Sequence, residues 1–464
     1  MLILAILIIG LILRLIAITQ SFWLDEAIQV LESTVPFGKV YLIPADFHPP
    51  LFHYLGWFWL KVSTVEWWAR LLPVSLGLGC IYFLYRQAKE IASQKVALVA
   101  ALFLASSGFH VYYSQEFRPY ILSCFLATAS FYLFFKLQKS SKLLNASFIL
   151  VNALGFYSLY YFPLILVGQG IVMILLYRKR LFGWLANIGI SFIFFLPWLP
   201  MFIQQLSIGR GWAQSFSVWK TSVSTPLLKV LPLVFVKFWL GNISTNNSLL
   251  YFLAGLMLFI LTILLGWRAL TKKKKQAGTV LIFVLIPIMI AFLSSFFVPT
   301  IAPKRLLLVL PQFYLFLALG ISSLPKKFQK LLIALILIIN ISSLSAYYLN
   351  PSFQREQWRQ AIGWVENNAN TNSLALFEFS SPFGPWAYYQ NNRIEGTAVF
   401  ENGMTVSQSM PLLAENKGSI FLFNYLFEMT DPDQKSAQWL LNNDFVLKTT
   451  KDFPGVGFVY EYTK

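Results

Sequence analysis

Two adjacent carboxylates, Asp25 and Glu26, follow directly after the first apolar run of the chain, residues 1–19. Acidic side chains are rare in this part of the sequence, since only seven occur before residue 351. A carboxylate that reaches a hydroxyl group by a hydrogen bond can act on it as a general base. We therefore expect Asp25 and Glu26 to form the chemical centre of an integral membrane enzyme.

Two further stretches combine acidic, imidazole and guanidinium groups. In residues 46–50 a double proline follows His48 and favours an extended approach to a short aromatic helix, which would hold His48 at the lip of a cavity. The alternative for His48 is a turn residue that caps this helix. Residues 112–120 contain Glu116 and Arg118 close to a helix start, with an ordinary charged loop as the alternative.

Cations stand at two other predicted helix starts, Arg70 in one case and Lys304 with Arg305 in the other. A guanidinium group binds phosphate oxygens through two hydrogen bonds, and a helix N-terminus adds a positive dipole end. The alternative is that each cation only reaches from the apolar region to the membrane surface. Acids and cations together at one surface of a membrane indicate a phosphorylated lipid as substrate.

The composition is that of a polytopic membrane protein. The chain has 464 residues, of which 57% are hydrophobic and 12% charged, and its mean hydropathy is +0.63. The formal net charge of +17 arises before residue 351, where basic residues in loops set membrane orientation, and this placement excludes a nucleic-acid-binding domain. Cys80 and Cys124 both lie inside apolar runs, which excludes a disulfide framework and a thiolate metal site.

Stretches long enough to cross a membrane predict about eleven transmembrane helices. They are residues 1–20, 67–86, 96–114, 119–136, 143–160, 162–177, 182–203, 248–268, 279–299, 305–322 and 330–349. Basic clusters fall in every second connection, so these connections are cytoplasmic and the N-terminus is cytoplasmic. Residues 1–19 lack a basic start and a cleavage site, and we expect them to remain as the first span. Residues 51–61 and 226–240 are expected to lie in the outer interface, with a short true span as the alternative for either.

This topology predicts a transmembrane domain of residues 1–349 with a long first external loop, 20–66, and an extracytoplasmic α/β domain of residues 350–464. The helix near Trp358 is indicated by its apolar spacing, and strands are predicted at 373–379, 419–425, 445–449 and 456–462. Six of the seven acids before residue 351 then lie on the outer side. They are Asp25, Glu26, Glu32, Asp46, Glu66 and Glu116.

Several of these stretches resemble the GT-C glycosyltransferases, and more narrowly family 39 with the protein O-mannosyltransferases and the lipid A aminoarabinose transferase. The resemblance rests on Arg14 in the first span and on five motifs taken in order. These motifs are Phe22-Trp23-Leu24-Asp25-Glu26-Ala27, His48-Pro49-Pro50-Leu51, Arg70-Leu71-Leu72-Pro73, Tyr113 to Tyr120, and Arg305-Leu306.

The resemblance implies a polyprenyl- or dolichyl-phosphate sugar donor and a lipid, glycan or protein acceptor outside the plasma membrane. It implies that Asp25 is the general base, that Glu26 orients the acceptor or Asp25, and that transfer inverts the configuration at the anomeric carbon of the sugar. The donor phosphate would then bind four cations, with His48 and Glu116 shaping the pocket. These cations are Arg70, Arg118, Lys304 and Arg305. The family leaves open a divalent metal at Asp25 and Glu26.

Two other functions fit a polytopic membrane protein. A transporter or flippase of lipid-linked sugars would show paired halves and broken helices near the midplane, and the sequence shows no paired halves. A sensor with a ligand-binding outer domain would leave the external acids unexplained. The sequence has no nucleotide-binding signature, as expected for a donor that arrives in the lipid phase.

Overall fold

The structure is a computed structural model that describes residues 1–40, 47–137, 141–215, 226–245, 247–298, 301–379, 384–400 and 404–464. Asp46 therefore lies outside the described residues. In the described part of the first 349 residues, the helices are α1 to α16. These are α1 (Leu2–Leu15), α2 (Leu24–Thr34), α3 (Leu51–Trp59), α4 (Glu66–Ile91), α5 (Gln94–Ser106), α6 (Gly108–Ser114), α7 (Tyr120–Lys136), α8 (Lys142–Phe156), α9 (Pro163–Leu176), α10 (Leu181–Ile193), α11 (Leu199–Ser215), α12 (Leu227–Leu240), α13 (Ser248–Lys272), α14 (Lys274–Ser294), α15 (Leu310–Ile321) and α16 (Lys326–Leu349).

Five helical segments among the described residues are long and apolar enough to cross a membrane. They are α4, α13, α14, α16 and Pro303–Ile321, where a 3-10 turn leads into α15. The number rises to seven if each of two bent helix pairs is one span, and α1, α7, α8 and α9 are shorter apolar helices. The chain is thus a multi-pass membrane protein with the predicted fold class, whereas the number of about eleven spans stays a prediction.

Two stretches predicted as single spans are bent pairs of helices. Between α5 and α6 the axis bends by 61° at Ser107, whose extended backbone ends α5 and whose hydroxyl accepts the N–H of His110 as the cap of α6. The segments Arg178–Ile193 and Leu196–Arg210 meet at 41°, next to Pro197. Neither bend was predicted, because each stretch taken as a whole is long and apolar enough to be one span.

Helix α15 is the core of the membrane part. All twelve of its residues are buried, as expected for a helix that is apolar on every side. Gly320 allows the close approach of α13, since a Cβ atom there would lie 2.5 Å from the carbonyl oxygen of Leu265. Gln312 on α15 and Gln87 on α4 exchange two buried amide hydrogen bonds of 2.8 Å, so these two buried side chains satisfy each other.

The chain divides into two compact units, which we call the membrane unit and the C-terminal unit. The membrane unit comprises Met1–Ile18 and Val35–Leu349, and the C-terminal unit comprises Thr19–Thr34 and Asn350–Lys464. Sequence reasoning assigned residues 20–34 to the first loop of the transmembrane domain. The structure instead groups them with the C-terminal unit, because the residues around the start of α2 hydrogen-bond to it.

The C-terminal unit contains helices α17 to α21 and a five-stranded sheet. The helices are α17 (Trp358–Asn368), α18 (Gly384–Tyr389), α19 (Val406–Leu413), α20 (Phe427–Thr430) and α21 (Lys435–Leu441). The strands are β1 (Ser373–Phe377), β2 (Glu395–Ala398), β3 (Ser419–Phe423), β4 (Val446–Phe453) and β5 (Gly457–Thr463). Their order is β2-β1-β3-β5-β4, with β1 parallel to β2 and β3, and β5 antiparallel to β3 and β4.

Helices cover both faces of this sheet, so β1 and β3 are buried at every residue and apolar after their first residues, Ser373 and Ser419. Residues of α17 pack on one face against Phe377 and Phe423. Residues of α19 and α21 pack on the other face against Leu376 and Leu422. The four predicted strands are present with shifted ends. Strand β2 was missed because its sequence, Glu-Gly-Thr-Ala, has little strand preference, and it forms by pairing with β1.

Candidate active site

The structure distributes the predicted site residues over the two units, and each set is described by itself. Asp25 and Glu26 belong to the C-terminal unit. The other six predicted residues, from His48 to Arg305, belong to the membrane unit.

The acidic pair occupies the first turn of α2. The N–H of Ala27 donates to the carbonyl of Trp23 in the first turn of the helix, so Asp25 and Glu26 follow at the second and third helical positions. Carboxylates are stabilised there by the positive end of the helix dipole. Glu26 is buried and Asp25 is partly buried, which suits Glu26 to support and Asp25 to meet a reacting group.

Three hydrogen bonds fix the chain that leads into α2. The hydroxyl of Ser21 donates to the backbone carbonyl of Glu356 (2.6 Å), and the N–H of Phe22 donates to the hydroxyl of Tyr389 (2.7 Å). The N–H of Leu24 donates to Glu356 Oε2 (3.0 Å). The first N–H groups of a helix have no partner within it, so an external acceptor at this position stabilises the helix start.

Close packing adds to these hydrogen bonds. The ring of Phe22 is fully buried and meets Tyr388 edge to face, with 5.1 Å between the ring centroids. Gly384 at the start of α18 faces Ile28 of α2, and a Cβ atom on Gly384 would lie 2.5 Å from Ile28 Cγ1. The acidic pair is therefore mounted on the helices that cover the sheet.

Glu356 collects three donors on its carboxylate. Besides the N–H of Leu24, Oε2 accepts the indole N–H of Trp358 (2.6 Å), and Oε1 accepts the hydroxyl of Tyr425 (3.0 Å). Burial raises the pKa of Glu356 to about 7, and the charge of Asp25 adds to the rise against these hydrogen bonds. Burial and Glu356 together raise the pKa of Tyr425 well above its ordinary value.

A second buried carboxyl group of this unit, Glu378, follows the end of β1. Burial raises its pKa to about 8, and the carboxylates of Asp431 and Glu428 add to the rise. Asp431 itself accepts the backbone N–H groups of Lys435 and Ser436 at the start of α21. No sequence pattern pointed to Glu378.

In the membrane unit three predicted residues meet around Tyr120, the first residue of α7. One guanidinium nitrogen of Arg118 lies 3.2 Å from His48 Nδ1. The ring of His48 stands edge to face with Tyr120 at 5.8 Å, and Lys304 Nζ lies 5.3 Å from the centroid of the same ring. Because Arg118 donates to Nδ1, a neutral His48 carries its proton on Nε2. The cluster joins two cations and one further N–H donor, a combination that suits a phosphate.

The other three predicted residues, Arg70, Arg305 and Glu116, belong to the same unit. Arg70 is buried and one of its guanidinium nitrogens donates to the carbonyl of Ile18 (2.9 Å), which secures the chain just after α1. Arg305 is partly buried within the 3-10 turn Pro303–Val309. Glu116 is buried, and its backbone carbonyl accepts the N–H of Arg118 (2.8 Å).

Arg14 connects the first helix to the stretch that contains the Tyr120 cluster. Its guanidinium donates to the carbonyls of Gly10 (2.8 Å) and Ala105 (3.1 Å) and lies 2.6 Å from His110 Nδ1. The side chain of Gln115 donates to the carbonyls of Arg14 (2.9 Å) and Ile16. Arg14 therefore has a structural part within the membrane unit.

Two groups of residues contain side chains of the types that bind metal ions. In the part of the chain that the structure describes, the ligand atoms of Cys80, His110 and Cys124 lie within 4.8 Å of one another, and no such set of three includes Asp25 or Glu26. Since Arg14 donates to His110 Nδ1, a neutral His110 carries its proton on Nε2, so neither ring nitrogen offers a lone pair to an ion. Mg²⁺ in proteins needs only one or two carboxylates beside waters and substrate phosphates, so a divalent metal at Asp25 and Glu26 stays a prediction.

Residues 47–203 match the family model of dolichyl-phosphate-mannose-protein mannosyltransferase, and this range contains His48, Arg70, Glu116 and Arg118. Among solved structures, the whole chain is similar to ArnT from Cupriavidus metallidurans in the apo state (TM-score 0.61, 11% identity, 99% of this chain and 97% of that chain). ArnT bound to undecaprenyl phosphate gives a TM-score of 0.60 at 10% identity, with the same coverage.

The oligosaccharyltransferase of Archaeoglobus fulgidus, in a complex with Zn and sulfate, gives a TM-score of 0.57 at 12% identity and covers 99% of this chain and 73% of that chain. The chain has the GT-C glycosyltransferase fold. The GT-C resemblance inferred from the motifs is thereby confirmed at the level of the fold. No curated protein sequence matches the chain significantly.

Sequence reasoning about the GT-C site missed the residues that hold α2 and the ring at the centre of the cation cluster. Tyr120 stands in the quoted motif, and its position at a helix start beside Arg118 was a usable signal. Glu356 and Tyr389 had no signal, because their partners in the chain around α2 are more than 300 residues away. Tyr425 had none either, because it reaches this chain only through Glu356.

Proposed function

We propose that this GT-C protein transfers a monosaccharide from a polyprenyl- or dolichyl-phosphate donor to an acceptor hydroxyl at the outer face of the plasma membrane. The observation that carries the proposal is the family match over residues 47–203, together with the contact of Arg118 and His48 inside that range. Solved structures of similar fold are described with undecaprenyl phosphate or with a dolichol-phosphate, which supports a lipid phosphate as the leaving group.

In the proposed reaction Asp25 accepts the proton of the acceptor hydroxyl as its oxygen forms a bond to the anomeric carbon of the sugar. The bond from that carbon to the phosphate oxygen breaks, and the lipid phosphate leaves with the electron pair. Because the acceptor displaces the phosphate directly, the configuration inverts and no carboxylate nucleophile is needed. Glu26 orients the acceptor or Asp25.

The cations stabilise the charge that develops on the leaving phosphate. Arg118 and Lys304 flank Tyr120 and are assigned the phosphate oxygens, with the N–H of His48 as a further donor. Arg70 and Arg305 are assigned to the lipid phosphate as well, and Glu116 to shaping the pocket. A phosphate whose charge is met in this way leaves without a strong general acid.

The proposed orientation has a cytoplasmic N-terminus and an extracytoplasmic C-terminal unit. It is supported by the basic clusters in every second connection, since such residues stay in the cytoplasm. The acceptor, whether lipid, glycan or protein, would then be met outside the cell.

The test is donor consumption by the purified full-length protein in lipid nanodiscs. A panel of undecaprenyl- and dolichyl-phosphate monosaccharides is incubated with the protein and a detergent extract of cell envelopes. We expect one donor to release its polyprenyl phosphate while the sugar appears covalently on an acceptor. If no donor is consumed and labelled lipid instead crosses the bilayer of proteoliposomes unchanged, the protein is a transporter and the proposal is wrong.

A further inference from the structure

The start of α2 is held by a residue that stands 332 positions later in the chain. Glu356 accepts the N–H of Leu24 with Oε2 at 3.0 Å, and its backbone carbonyl accepts the hydroxyl of Ser21 at 2.6 Å. Leu24 is the first residue of α2, so Glu356 supplies the external acceptor that a helix start requires. Asp25 is the next residue, and any movement of this first turn moves its carboxylate.

The carboxylate of Glu356 is itself held in place. The indole N–H of Trp358 and the hydroxyl of Tyr425 both donate to it, and Trp358 is fully buried. Tyr425 follows the end of β3, so one side of the carboxylate is tied to the sheet. The other side is tied to α17, whose first residue is Trp358. Through these hydrogen bonds, Glu356 fixes the first turn of α2 relative to the sheet and to α17.

We propose that Glu356 is a positioning residue of the transfer site, whose ionised carboxylate fixes the helical turn that presents Asp25. This inference rests on the proposed function. The inference goes beyond that function because it gives the C-terminal unit a part in the reaction. An ionised carboxylate accepts all three donors, whereas a protonated one turns one oxygen into a donor and loses an acceptor. Transfer should therefore depend on the ionisation of Glu356.

The groups that face this carboxyl set the pH range of the effect. They are Asp25 on α2, Tyr425 after β3 and the indole of Trp358 on α17. The pKa of Glu356 is raised to about 7 by burial, so the ionised form is lost as the pH falls through neutrality. We expect kcat to decline as the pH falls through about 7, with little change in KM for the donor.

The main variant is Glu356→Gln, and the matched control is Glu366→Gln. Glu366 is a buried carboxylate at the other end of α17 that accepts the backbone N–H (2.5 Å) and the side-chain amide (2.7 Å) of Asn391. The control loses the same charge and the same kind of hydrogen bond near the opposite end of α17. Both are measured as full-length protein in nanodiscs, with the donor that the wild type consumes.

We expect Glu356→Gln to lower kcat at pH 8 at least tenfold, to leave the donor KM within threefold, and to remove the decline of kcat between pH 8 and pH 6. Glu366→Gln should keep the kcat and the pH profile of the wild type. If both variants have the same kcat and profile, the inference is wrong although the proposed function stands. If the wild type consumes no donor, the proposed function has failed instead.

A milder variant covers the case in which Glu356→Gln does not fold. Tyr425→Phe removes one hydrogen bond from the ionised carboxylate and leaves the bond from Leu24. Because the Tyr425 hydroxyl lowers the pKa of Glu356, its loss should move the decline of kcat to higher pH. An unchanged pH profile in Tyr425→Phe would contradict the assignment of this decline to Glu356.

Discussion

The contact between Gly384 and Ile28 allows the position of the acidic helix to be perturbed without touching an acidic residue. In Gly384→Ala, the new Cβ would lie 2.5 Å from Ile28 Cγ1 and 3.1 Å from the backbone nitrogen of Ile28, where ordinary contact begins at 3.4 Å. The differences are 3.4 − 2.5 = 0.9 Å and 3.4 − 3.1 = 0.3 Å. Ile28 is branched at Cβ and has few alternative rotamers. Helix α2 must therefore shift by some tenths of an ångström.

The consequence for transfer follows from the size of this shift. A misplacement of about 1 Å at a reacting group can cost a factor of about 100 in rate. We expect kcat of Gly384→Ala to fall by a factor of about 5 to 100, with an overpacking cost of about 1–3 kcal/mol in stability. The matched control is Gly363→Ala in α17, because a Cβ there meets nothing within 4 Å. That variant should be neutral or stabilised by about 1 kcal/mol.

The assay compares kcat and thermal unfolding of both variants with the wild type in nanodiscs, at a temperature where all three are folded. If Gly384→Ala folds and has the same kcat as Gly363→Ala, the packing of α2 against α18 does not control transfer. A loss of activity in both variants would show that the effect arises from the domain as a whole and not from the contact with Ile28.

Two further predictions concern the cation cluster and the second buried carboxyl. Arg118→Lys keeps the charge but loses the guanidinium fork, so inhibition by undecaprenyl phosphate should weaken about 10- to 100-fold, the equivalent of one charge-assisted hydrogen bond of about 1.5–3 kcal/mol. The control is Arg86→Lys, since the Arg86 guanidinium contacts Tyr82 and Tyr132, and this variant should be inhibited like the wild type. Equal inhibition of all three proteins would show that Arg118 does not bind the phosphate. Glu378 has a pKa raised to about 8 from an ordinary 4.5, so its stabilising protonated form is fully present below about 4.5 and is lost as the pH rises through about 8. In thermal unfolding measurements, Glu378→Gln should therefore lose less stability between pH 5 and pH 8.5 than the wild type. An identical dependence of stability on pH in the two proteins would contradict the burial of an ionisable Glu378.

The helices of the membrane unit were predictable because apolar length and alternating basic connections are local properties of the sequence. Residues 67–86 lie within α4 and residues 330–349 within α16. The bend at Ser107 was not predictable from hydropathy, since it depends on one hydroxyl that caps α6 within an apolar run. Hydropathy reports which segments avoid water and carries no information about a single backbone hydrogen bond.

The candidate site was predictable as residue types and only partly as an arrangement. The motif residues His48 and Arg118 do meet, because the stretches that carry them pack against the start of α7. The grouping of residues 19–34 with the C-terminal unit was not predictable. It depends on Glu356 and Tyr389, whose hydrogen bonds to the chain around α2 leave no trace in local composition.

The central claim is that Asp25 takes the acceptor proton in transfer from a lipid-phosphate sugar. The direct measurement uses purified wild-type protein and Asp25→Asn in nanodiscs, with the radiolabelled donor that the wild type consumes, and follows both the label on the acceptor and the binding of undecaprenyl phosphate. We predict that Asp25→Asn binds undecaprenyl phosphate like the wild type and transfers the sugar at least about 100-fold more slowly, as expected when a general base is lost. Transfer by Asp25→Asn at the wild-type rate would contradict the account.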